Sequence, residues 1–126
     1  NQVWQNVVFQ AMLSTCIAVF TTMLVVYISP YNFNFLGVIL LVSLIALIVM
    51  RILNALIFKS AKQMLYQSYA GIVIFTLYLV YDFDRLKQAN AAGDNSWGTA
   101  VDIAVNIYLD IINLFIELLI AMSENQ

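Results

Sequence analysis

Four stretches of this chain stay apolar for about 20 residues, the helix length needed to cross roughly 30 Å of hydrocarbon. They are Val7–Ile28, Phe35–Phe58, Met64–Asp82 and Thr99–Ala121. Each predicts a membrane-spanning helix. The first carries no charge and ends at Ser29-Pro30-Tyr31-Asn32, a turn whose proline cannot continue a helix. The second is rich in Leu, Ile and Val, with Arg51 and Asn54 near its end, and Lys59 and Lys62 follow in a short connection. The third passes through Gly71 to Tyr81-Asp82. Its continuation, Asp84-Arg85-Leu86-Lys87-Gln88, can extend that helix beyond the membrane before the turn-forming Ala92-Gly93-Asp94-Asn95-Ser96.

The last run differs from the others in having a polar stripe. Asp102, Asn106, Asp110, Asn113 and Glu117 recur at steps of four, four, three and four residues. At 100° per residue they fall in a wedge about 80° wide. The remaining sides are Val, Ile, Leu, Phe, Ala and Tyr. The 13 Ile, Leu, Val and Phe of this run favour insertion by about 0.3–0.6 kcal/mol each, while a central Asp costs about 2.5–3.5. The sum is near zero, so the stripe needs protein neighbours, and the last helix is predicted to lie at the centre of the bundle.

Composition supports the membrane reading. The chain has 126 residues, 63% hydrophobic and 10% charged, against about 25% charged in soluble domains; mean hydropathy is +0.91. The expected fold class is therefore all-α, a polytopic transmembrane bundle with four spans forming a single domain over residues 1–126. The five Lys and Arg are scattered singly and form no nucleic-acid surface. With no His, imidazole-based zinc sites, nucleophile activation and proton switching are all excluded. The single Cys16 allows no intrachain disulfide and reads as a small packing residue. Trp4, Tyr27, Tyr31, Tyr66, Tyr69 and Trp97 lie near run ends, where amphipathic rings favour the lipid–water boundary. Lys59 and Lys62 draw one connection to the cytoplasmic or matrix side, and Arg85 and Lys87 draw the opposite connection there too, so sidedness stays open. The absence of an initial Met leads us to expect part of a longer or split protein, in a bacterial plasma membrane or an organelle membrane (mitochondrial inner or endoplasmic reticulum).

Within the stripe, Asp102 follows Thr99 at capping-box spacing, and capping is its expected role. Glu117 is near the far end and is expected to reach interfacial water. Asn106 and Asn113 are expected to hydrogen-bond adjacent helices. Asp110 lies mid-run, cannot cap, and has no Lys or Arg within a turn, so a functional role is favoured. Its natural partner is Asp82, at comparable depth on the preceding antiparallel helix. Two such carboxylates do not both ionise readily. Sharing a proton, they would sense pH; fully ionised, they would offer hard oxygen ligands to Ca²⁺.

Tyr81-Asp82-Phe83-Asp84-Arg85-Leu86, followed by Tyr108-Leu109-Asp110-Ile111-Ile112-Asn113-Leu114-Phe115-Ile116-Glu117-Leu118-Leu119, closely resembles the C-terminal signature of the Bax inhibitor motif family of membrane proteins. Tyr69-Ala70-Gly71 with Phe75, and Phe33-Asn34-Phe35-Leu36-Gly37, add to it. The resemblance covers essentially the whole chain, but only the later part of that family's seven-helix fold. It implies a pH-sensitive calcium leak, or Ca²⁺/H⁺ exchange, with the aspartate pair falling on Asp82 and Asp110 and the last helix enclosed. It also implies an arginine on an early helix that holds the first aspartate in the closed state; Arg51 follows from no motif for that role. No cofactor is expected, Ca²⁺ being the bound or transported ion. Expected partners are the bilayer and further transmembrane helices, from a longer precursor or another chain.

Two other readings come from different classes. One is a non-conducting subunit or assembly factor of a larger membrane complex. The other is an intramembrane aspartyl protease, against which the sequence argues: Ile107-Tyr108-Leu109 stands before Asp110 where that class has a glycine-containing motif, and the sole Pro30 is remote. The chain is read as a non-enzyme.

Overall fold

The computed structural model describes residues 2–29, 33–94 and 96–124, and side chains at 5–29, 33–94 and 96–123. Pro30, Tyr31, Asn32, Asn95 and the Trp4 side chain, all named above, lie outside the described residues. Four long helices follow one another: α1 (Gln2–Ile28), α2 (Leu36–Leu53), α3 (Ala61–Ala91) and α4 (Trp97–Glu124). All four are long and apolar enough to cross a membrane. The helix breaks agree with the hydropathy pattern to within a few residues, and α3 continues through the charged segment to Ala91.

Several hydroxyl groups in these spans are satisfied within their own helices. Thr15 donates to the Ala11 carbonyl at 2.7 Å, Thr22 to Ala18 at 2.9 Å, and Thr76 to Ile72 at 2.6 Å. This four-back pattern lets Ser and Thr sit in hydrocarbon without leaving a bare donor. Two elements are capped from elsewhere. Lys87 Nζ donates to the Val26 and Ser29 carbonyls at 3.1 and 2.7 Å, supplying protons to carbonyls that the end of α1 leaves free. At the opposite end of the bundle, α2 widens into a π-helical turn, Asn54–Phe58, closed by Lys59 at φ +49°. The buried Asn54 side chain bonds both the N–H and the carbonyl of Ser60, and the Ser60 hydroxyl caps α3 at Gln63.

α3 packs against each of the other three helices, while α4 packs against α3 and α1. The core is built by Val26 of α1, Phe75, Leu79 and Phe83 of α3, and Leu114 of α4. Val101, Val105, Tyr108, Leu109, Ile112 and Ile116 of α4 are exposed. Among these four helices the most enclosed is therefore α3, and full enclosure of α4 calls for helices beyond them. Cys16 is exposed rather than packed inside. Tyr27, Tyr66, Tyr69 and Trp97 are exposed near helix ends, in keeping with boundary positions.

Candidate functional site

The polar stripe of α4 runs along α3. Near one end, Arg85 Nη2 donates to Asp102 Oδ2 at 2.8 Å; near the other, the Glu117 carboxylate lies against Gly71. In that register Asp82 stands level with Asn106, and Asp110 with Tyr78. The two aspartates are thus offset by about one turn, ~5 Å. Side chains on a helix lean toward its N-terminus. Because α3 and α4 are antiparallel, Asp82 and Asp110 lean toward each other.

They share a cavity of about 270 Å³ walled by Leu44 of α2, Phe75, Tyr78, Tyr81, Asp82 and Arg85 of α3, and Asn106, Leu109, Asp110 and Asn113 of α4. Asp82 is 3% exposed and Asp110 7%. Asp82 has a cation, Arg85 Nη1, at 3.4 Å. Among the described residues, Asp110 Oδ2 is fully buried and has no hydrogen-bond partner. An oxygen in that state is costly to keep. Arg85 also lies over the Tyr81 ring, 6.0 Å from its centroid. Tyr81 packs closely on Gly37, where a Cβ would meet its hydroxyl at 3.0 Å and press the ring aside by a few tenths of an ångström. The Gly37 and Tyr81 motifs are therefore two sides of one contact.

Several stripe residues do not do what their spacing suggested. Asp102 does not cap. The start of α4 is capped by Ser96, whose hydroxyl accepts from the Thr99 N–H at 3.3 Å, and by Asp94, whose carboxylate accepts from the Ser96 N–H and the Thr99 hydroxyl. Asp102 instead points outward to Arg85. Asn113 donates to the Leu109 carbonyl of its own helix, not to a neighbour. Glu117 does not reach interfacial water: it is 1% exposed, and Arg51 Nη2 donates to both its oxygens. Arg51 thus serves the far end of the stripe, and the cation beside Asp82 comes from its own helix.

The sequence pattern missed Asp84. On the extension of α3 it is 2% exposed, accepting from the Phe33 N–H at 3.2 Å and from Gln88 Nε2 at 2.6 Å. The available signal was the Asp84–Gln88 spacing of one turn. Among the described residues no three of Cys, Asp and Glu gather as a metal cluster. Asp82 and Asp110 alone fall short of the roughly 6–8 oxygens that hold Ca²⁺, so a cation here would keep water as ligands.

The Bax1-I family model, "Inhibitor of apoptosis-promoting Bax1", matches residues 1–126. The chain belongs to the Bax1-I family. Among its relatives are Protein LIFEGUARD 4 of Arabidopsis thaliana, 36% identical over 71% of this chain and 34% of its own length, and Protein LIFEGUARD 2 of the same plant, 32% identical over 90% and 47%. A membrane protein of Streptococcus pyogenes is 31% identical over 96% of the chain and 53% of its own length. The chain spans a third to about half of these Bax1-I relatives, consistent with part of a larger helical membrane fold. It is an integral multi-pass membrane protein.

Proposed function

We propose that the protein to which these helices belong conducts cations, Ca²⁺ in particular, either as a leak or in exchange for protons, and that protonation of the Asp82/Asp110 pair gates it. The observation that carries this reading is the buried, unpartnered Asp110 Oδ2 opening on a cavity shared with Asp82. A structural carboxylate would be expected to have its oxygens satisfied; one kept bare beside a second carboxylate suits a transient ligand, a proton or a passing cation. Among the described residues, the groups facing the pair are Tyr78, Tyr81 and Arg85 of α3, Asn106 and Asn113 of α4, and Leu44 from α2. Arg85 is therefore, among the described residues, the one fixed positive charge at the cavity, and it can bias which aspartate takes the proton.

In proteoliposomes loaded with a calcium dye, influx should vary between about pH 6 and 8, the range in which a carboxylate pair sharing one proton can respond. It should vanish in Asp110→Asn. Normal pH-dependent influx in that variant would remove the reading. Stable co-purification with many other chains and no influx would favour a non-conducting subunit instead.

A further inference from the structure

The helices that wall the cavity lead, one or two turns farther from Arg85, to a single point. On α4, Glu117 follows the lining residue Asn113 by one turn; on α3, Gly71 precedes Phe75 by one turn; on α2, Arg51 follows Leu44 by two. There Arg51 binds Glu117, bridging α2 to α4 across α3. The crossing is possible because residue 71 has no side chain: a Cβ at Gly71 would overlap the Glu117 carboxylate. The ion pair therefore forms the next layer beyond the cavity, about 5 Å along the bundle.

Such a layer has two consequences for a cation. The last carboxylate of the stripe is already neutralised, and a guanidinium stands one layer beyond the cavity. We infer that the Arg51–Glu117 pair is the far gate of the polar path, shut by a fixed positive charge and opened when α2 and α4 part over Gly71. This inference rests on the conduction reading above and adds a second barrier, remote from the aspartate pair. If the pair is a strut alone, breaking it would lower stability without admitting a probe.

The test uses the whole protein to which these helices belong, in vesicles, with two readouts. One is dye-reported calcium influx. The other is labelling of Asn113→Cys, in a Cys16→Ala background, by a membrane-impermeant quaternary-ammonium methanethiosulfonate added to either side. With a gate, Arg51→Gln and Gly71→Ala each raise influx several-fold. They also speed labelling from the side of the α2–α3 connection, and the Arg51→Glu/Glu117→Arg exchange restores slow labelling. Gly71→Ala is the sharper variant because every charge stays in place; should it not fold, Arg51→Gln with the charge exchange decides the same question. Unchanged labelling from that side in folded variants overturns the gate even where influx is normal. Faster labelling without influx in any variant supports the barrier and removes conduction instead.

Discussion

Asp110 and Glu117 are buried carboxylates two turns apart on one face of α4, yet their surroundings are opposite. Glu117 holds an arginine with both oxygens and lies against a glycine that makes room for it. Asp110 faces a second acid across a cavity and leaves one oxygen bare. The first arrangement fixes α2 to α4. The second leaves an acid with no basic partner of its own, which a purely structural site would avoid. On the proposed reading, burial of an acid does not by itself mark function; the missing partner does.

The largest effect should come from breaking the satisfied site. Glu117→Gln strands Arg51 and should lower stability in detergent by about 3 kcal/mol, near the low end for a broken buried pair because the half-exposed Arg51 can turn toward headgroups. Thermal unfolding would show it, and a loss below about 1 kcal/mol would mean the two carboxylates differ less than their partners suggest. Asp84→Ala removes the acceptor for the Phe33 N–H and Gln88 and should cost about 2 kcal/mol, within the range for buried groups left unpaired. Asp110→Asn should go the other way, raising stability by about 1 kcal/mol while abolishing influx, since it removes an unsatisfied acid. A clear destabilisation there would make Asp110 a structural residue like Glu117. The exposed Asp102→Asn, which loses only the surface pair with Arg85, should change stability by about 0.5 kcal/mol or less.

The smallest effect concerns pH and serves as a control. The Ser96 N–H, then the Ser96 and Thr99 hydroxyls, hold the Asp94 carboxyl below its ordinary 3.8. A group lowered on folding adds stability that is complete above its unfolded value and is lost as pH falls through its folded one. The start of α4 should therefore keep its amide protection unchanged from about pH 6 to 8. If the protection factors at Ser96 and Thr99, corrected for base-catalysed intrinsic exchange, changed in that window, a pH response of influx could no longer be credited to the aspartate pair.

Much of this was legible in the chain because its causes are local. Hydrophobic runs set the four spans, since a backbone in lipid must bond to itself and a helix does so within one segment. The four-four-three-four spacing put Asp102 through Glu117 on one face, and a mid-run position picked out Asp110. What each stripe residue binds was not legible. Spacing offered Asp102 a cap, but Ser96 and Asp94 stood closer to the free N–H groups. It offered Glu117 the water interface, but α2 brought Arg51 to it.

The sequence alone thus determined that this is a helical membrane protein with an acidic line through its last span. Tertiary structure decided which acid is neutralised and which is left bare. The reason is that the partners lie far along the chain, 66 residues separating Arg51 from Glu117. No periodicity within one helix encodes how a neighbouring helix is turned, or where a glycine lets two others meet across it.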